Sequence, residues 1–185
     1  MNQGPVHVSV RSLSERLEAE GIDYALVGGM ALYLHGYRRF TEDVDILLTP
    51  EGLASFQERL VGRGYVPAFA GARKTFRDAE TRVKVEVLTT GEFPGDGKSK
   101  PVSFPDPALA RERHEGLWVA SLRTIVELKL ASGLSVAHRA KDLVDVQELI
   151  QHLHIPRDLA SSLDPSVRDE YLRLWAIAQT VPPPE

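Results

Sequence analysis

The chain has no cysteine among its 185 residues. A disulfide scaffold, a zinc ribbon and a thiol nucleophile are thereby excluded. It also lacks any apolar run near the ~20 residues that a helix needs to cross a bilayer. Its opening, Met1-Asn2-Gln3-Gly4-Pro5, lacks the basic-then-apolar pattern of a secretory signal. The expectation is a cytoplasmic protein with no membrane partner. Positive charge is not in excess either, since 22 basic and 26 acidic residues give a net charge of −4. No global basic field points to nucleic acid. Neither G-x-S-x-G nor G-x-G-x-x-G occurs, which removes the hydrolase elbow and the dinucleotide fingerprint.

What is present suits a packed domain, with 43% hydrophobic and 26% charged residues. Charge is uneven along the chain. Five basic residues face Asp78 and Glu80 between Gly71 and Lys84, and eight face four acidic ones between Lys98 and Lys141. Two readings stand: an ordinary solvated surface, or a cationic rim around a phosphate-handling site.

Ser12 and Glu15 form an S-x-x-E pattern that predicts a capping box, with Gly21 ending the helix. Tyr24 to Val27 reads as a strand, Gly28 to His35 as a helix ended by Gly36, and Val44 to Leu48 as a second strand. Glu51 to Arg63 reads as a helix carrying Leu53, Phe56 and Leu60. Tyr65-Val66 follows, then a hairpin of Thr75 to Arg77 and Arg82 to Leu88, with Val83, Val85 and Val87 on one face. Thr90 to Pro107 is a long Gly/Pro/Ser/Lys loop. After a strand at Leu117 to Val119, helices are expected over Ser121 to Ser132 and over about His138 to Leu153. The buried stripe of the second is Leu143, Val146, Ile150 and Leu153. Asp164-Pro165 starts a last helix that buries Tyr171, Leu174 and Trp175, and the Pro182-Pro183-Pro184 tail is expected to fray. The fold class is α/β (α+β): a mixed sheet flanked by helices, with a helical C-terminal third. Residues 1–120 form the core, and 121–185 a helical region packed on it as one compact unit.

The chemistry is expected between the first two strands. Gly28-Gly29 at a helix start leaves backbone N–H groups open to a phosphate. Asp43 and Asp45, at i and i+2 on one strand, project from one face and suit paired Mg²⁺ ions. Glu86 lies mid-strand, opposite the valine face. It reads either as a third carboxylate directed with the aspartates or as a solvent-facing partner of Lys84 or Arg82. Other patterns are decoys. Gly97-Lys98-Ser99 imitates a P-loop, but Glu92 stands where glycine is required and Pro101 blocks the helix. His152 and His154 flank a helix end before Pro156 and lack further ligands.

Leu26-Val27-Gly28-Gly29, with Arg39-Phe40-Thr41-Glu42-Asp43-Val44-Asp45-Ile46, resembles the signature of the DNA polymerase β-like nucleotidyltransferases. Lys84-Val85-Glu86-Val87 is similar to its third carboxylate strand, with Glu in place of Asp. Glu127 to Ser132 and Arg139 to Asp145 resemble the later helices of AbiEii-type bacterial nucleotidyltransferases. The likeness runs from about residue 12 to 153. It implies transfer of a nucleoside monophosphate from an NTP such as ATP to an acceptor hydroxyl on RNA (tRNA included), protein or a small molecule. It implies Mg²⁺, or Mn²⁺, held by Asp43, Asp45 and Glu86, with Glu86 as base. Gly28 and Gly29 would cradle the triphosphate, and Lys129 and Lys141 would neutralise the departing pyrophosphate. Thr41, Arg39, Asp142 and Asp145 would support these groups. The implied setting is toxin–antitoxin or phage defence, with a cognate antitoxin or toxin protein as partner. A catalytically inactive nucleotide- or partner-binding module and an antibiotic-type nucleotidyltransferase stand as alternatives.

Overall fold

Proline sets where the first helix begins. In the computed structural model, which describes residues 4–180, α1 (Pro5–Ala19) starts with Pro5 in its first turn, where a missing N–H costs nothing. Ser12 therefore lies inside the helix, and the expected capping box is not formed. Val6, Val10, Leu13 and Leu17, spaced by three or four, make the buried stripe. Gly21 takes a φ of +66° and the chain turns off, with the Ile22 amide donating to the Leu17 carbonyl at 2.8 Å. The proline tail at 182–184 lies outside the described residues.

Seven strands follow in one sheet: β1 (Tyr24–Val27), β2 (Asp43–Leu48), β3 (Tyr65–Pro67), β4 (Thr75–Asp78), β5 (Lys84–Thr89), β6 (Arg111–His114) and β7 (Leu117–Ala120). Their order is β3-β4-β5-β2-β1-β7-β6. β2 runs parallel to β5 and β1 parallel to β7; the other neighbours are antiparallel. All four side chains of β1 are buried, as its unbroken apolar run requires of a central strand. α2 (Gly28–Leu34) follows β1 directly. α3 (Pro50–Arg59) is capped by Thr49, whose hydroxyl accepts the Gly52 amide at 2.9 Å, and it buries Phe56.

β6 answers to no expectation. Its sequence, Arg-Glu-Arg-His, offers no apolar alternation, and its position comes from the turn that joins it to β7. Glu115 and Gly116 both have positive φ, 49° and 85°, the conformation of a tight two-residue hairpin.

The chain divides into two units. The first ends at Gly91 and resumes as Pro105–Ala120, and it contains the whole sheet. The second comprises Glu92–Phe104 and resumes at Ser121. It holds α4 (Leu122–Ser135), α5 (Lys141–Leu153) and α6 (Pro165–Ala178). Ser121 and Asp164 cap α4 and α6. The helix expected from His138 is broken, since Ala137–Arg139 is a 3-10 turn and α5 starts at Lys141. On α5, Val146 and Ile150 are buried with Leu149, whereas Leu143 and Leu153 are half-buried. Asp142 and Asp145 take the buried places instead. Trp175 is only half-buried, and its indole N–H donates to the Ile155 carbonyl at 3.1 Å. Among the described residues, no helix is long and apolar enough to cross a membrane.

Asp78 ties α1 to the end of β4. Its carboxylate accepts the Ser9 hydroxyl at 2.8 Å and the amides of Glu80 and Thr81 at 2.9 and 3.2 Å. Burial raises its pKa, but these hydrogen bonds outweigh that and hold it below the ordinary 3.8. The stabilisation is therefore complete above that value and lost as pH falls through the folded pKa. Asp78→Asn is expected to cost about 1.5–3 kcal/mol at neutral pH. In urea melts from pH 7 to pH 2 the gap between the two proteins should narrow on the acid side, and a constant gap would remove Asp78 from this role.

Candidate functional site

The register of β2 and β5 places Asp43 beside Lys84 and Asp45 beside Glu86. Val44, Ile46, Val85 and Val87, which alternate with them, are at most 2% exposed. With one face of the strand pair taken by the core, the four charged side chains share the other. They lie a third to a half exposed where the structure resolves ion pairs among them. The Lys84 ammonium is 2.9 Å from Asp43 Oδ2 and 3.4 Å from Glu86 Oε2. Its pKa is raised, chiefly by the hydrogen bond to Asp43. Glu86 is thus the partner of Lys84, and through that shared cation it is drawn toward Asp43.

The glycine pair has a packing reason to be glycine. Gly28 has a φ of +62°, and a side chain there would collide with the Asp45 carboxylate. A Cβ at Gly29 would fall 2.7 Å from the Thr41 Cβ. Thr41 in turn donates to the Asp43 carbonyl at 3.0 Å. The turn after β1 and the residues before β2 are therefore fitted to one another around the carboxylates. Beside them opens a cavity of about 460 Å³, with Met30, Tyr33, Arg39, Phe40, Thr41 and Val83 in its wall. Phe40 in this wall is 84% exposed.

Lys129, Lys141, Asp142 and Asp145 belong to the second unit. Lys129 donates to Asp145 at 2.6 Å and to Asp142 at 3.2 Å. Asp142 also accepts from Ser132 at 2.6 Å and pairs with Arg139 at 2.9 Å. Lys129 is 18% exposed and the aspartates less, so its charge is answered on the spot and links α4 to α5. Lys141 lies exposed at the start of α5.

One cluster escaped the sequence reading. His35, at the end of α2, meets Glu112 and His114 of β6, with ligand-type atoms all within 4.8 Å of one another. Burial lowers the His35 pKa, more than its hydrogen bond to Ala120 raises it. Glu112-x-His114 has the spacing that puts two ligands on one face of a strand, but its sequence shows no strand pattern, and that His35 joins it follows only from the fold.

The donor chemistry of the carboxylate face, oxygen only, is of the kind that a magnesium-type cation takes. Asp43, Asp45 and Glu86 stand on that face as the donor set, and the structure seats the Lys84 ammonium between Asp43 and Glu86.

The family model for the nucleotidyl transferase AbiEii toxin of type IV toxin–antitoxin systems matches residues 11–173. No curated protein matches the chain. Among solved structures, a provisionally assigned nucleotidyltransferase of Thermotoga maritima is 20% identical, with a TM-score of 0.55 over 74% of this chain and 89% of that one. One from H. pylori is 19% identical, with a TM-score of 0.50 over 97% and 95%. The antibiotic-resistance factor ANT(2'')-Ia is 11% identical, with a TM-score of 0.51 over 96% and 94%. These likenesses show the nucleotidyltransferase fold.

Removing Lys129 would take from Asp145 its 2.6 Å ion pair and leave Asp142 to Arg139 in a largely buried site. Lys129→Met is expected to lower stability by about 3 kcal/mol, and adding Asp145→Asn should restore part of the loss. Denaturant melts of the single and double variants decide it. No coupling between the two substitutions would count against the pair.

Proposed function

The chain belongs to the AbiEii nucleotidyltransferase family, and from that premise we propose that it transfers a nucleoside monophosphate from an NTP to an acceptor hydroxyl, as the toxin of a toxin–antitoxin pair. The observation that carries this reading is the in-register face of Asp43, Asp45 and Glu86, with a cation already seated between two of the carboxylates. The acceptor oxygen bonds to the α-phosphorus, the bond to the bridging oxygen breaks, and pyrophosphate leaves. Glu86, the more reachable of the three carboxylates in side-chain length, takes the hydroxyl proton. Asp43, Asp45 and Glu86 would hold Mg²⁺ or Mn²⁺, which when bound supplies positive charge against the phosphate oxygens. Gly28 and Gly29 give the triphosphate a stretch of backbone without side chains. Thr41 fixes the backbone that carries Asp43. The cavity walled by Met30, Tyr33 and Phe40 suits the flat face of a base or an aromatic part of the acceptor. A cognate antitoxin protein is the partner that the family description supports.

The Lys84 ion pairs favour one other reading, a binding module that holds nucleotide without turnover, because that ammonium competes for the same oxygens. One experiment separates them. The protein is incubated with each labelled NTP, Mg²⁺ or Mn²⁺, and either tRNA or a cell lysate. Transfer of label is expected for the enzyme; NTP binding without transfer selects the module.

Asp43→Asn and Asp45→Asn should each abolish transfer. Asp45→Asn should leave thermal stability equal or higher because like charges on one face are relieved, whereas Asp43→Asn also gives up its ion pair with Lys84. Glu86→Gln should lose at least about 100-fold in rate. Wild-type turnover in these variants would move the active site elsewhere. Lys84→Met should lower the melting temperature in a chelator and enlarge the stabilisation that Mg²⁺ gives. An unchanged response to Mg²⁺ would mean that the cation does not use these oxygens.

A further inference from the structure

We propose that His35, Glu112 and His114 form a second cation site, separate from the carboxylates of β2 and β5 and built for a zinc-type ion. His114 Nε2 lies 2.7 Å from Glu112 Oε1, and His35 Nδ1 lies 3.7 Å from the same oxygen. Tetrahedral zinc with bonds of 2.0–2.1 Å sets its ligand atoms roughly 3.3 Å apart, so the two observed spacings bracket the distance required. The donor set differs in kind from the other site. Two imidazoles and one carboxylate suit zinc and its transition-metal neighbours, whereas magnesium favours oxygen alone.

The outer contact of His35 is one that metal-bound histidines use. His35 Nε2 lies 2.8 Å from the Ala120 carbonyl, which can only accept. The ring proton is therefore on Nε2, and the lone pair of Nδ1 faces Glu112. The His35 side chain is 2% exposed, so its orientation is set by packing. Its ring meets that of His114 edge-on, with centroids 4.4 Å apart. Glu112 and His114 stand on one face of β6, and the tight Glu115-Gly116 turn fixes that strand against β7. For His114 to bind, its proton moves from Nε2 to Nδ1, and Nε2 then exchanges its hydrogen bond to Glu112 for the metal. Glu112 is 47% and His114 29% exposed, so an ion can enter from solvent and a water can fill the fourth position. Such an ion would clasp the edge strand to the end of α2.

Chelator-treated full-length protein is titrated with Zn²⁺ by calorimetry, and with Co²⁺ followed by visible absorption. One zinc site is expected in the wild type and in the Asp43→Asn/Asp45→Asn double variant. His114→Ala should lose at least about tenfold in affinity and Glu112→Gln a comparable amount. The visible band of tetrahedral cobalt should vanish in His114→Ala, and the rise in melting temperature with Zn²⁺ should vanish with it. His35 is left intact because its substitution would disturb packing. Undiminished zinc binding in both β6 variants would overturn the site. So would a wild type that binds no zinc, or zinc binding lost in the aspartate variant alone.

Discussion

The parallel pairing of β2 with β5 is the constraint on which the site depends. Val44, Ile46, Val85 and Val87 bury the same face of both strands, and that fixes the register because a slip of one residue would turn every side chain over. The charged residues between the valines therefore have no choice of side. Asp43, Asp45, Lys84 and Glu86 are gathered by the hydrophobic demands of their neighbours, not by attraction to one another. Like charges can share that face because burying the apolar residues outweighs the repulsion and Lys84 offsets part of it.

Much of the fold beneath that face was legible in the sequence. The apolar run of β1, the glycines that follow it and the alternation in β5 were readable because each states a local preference that the tertiary structure leaves in force. The long loop, the strand before it and β7 were readable for the same reason. The errors also have causes. The Ser12 and Glu15 pattern is a capping box in form only, because Pro5 can open a helix earlier and Val6 and Val10 extend its apolar stripe. The start of α5 was misplaced because a 3-10 turn and an α-helix share composition. Its buried stripe was partly misread because Asp142 and Asp145, polar in any scale, go inside to meet Lys129.

β6 was invisible for a different reason. A strand with Arg111, Glu112, Arg113 and His114 shows no hydrophobic period, so its existence comes from a neighbour and a turn. Its two faces divide the work. Arg111 and Arg113 stack over Trp118, with guanidinium carbons 4.3 and 4.5 Å from the ring centre, and pair with Asp23 and Glu18. Glu112 and His114 turn to the other side and to His35. No single-residue property announces such an arrangement; the alternation of a charged tetrapeptide does, once the strand is known.

The composition of the two outermost strands also bears on how copies of the chain behave at high concentration. A sheet ends in unpaired amide and carbonyl groups, which can recruit another chain and grow into aggregates. Here one border strand is charged or titratable at every position, and the other, β3, has three residues and finishes in Pro67, which has no amide hydrogen to offer. A second molecule approaching either border meets a row of solvated charge or an interrupted hydrogen-bond ladder. The architecture thus discourages the sheet from extending itself, leaving the protein free to carry a largely apolar seven-stranded interior without becoming a template for its own precipitation.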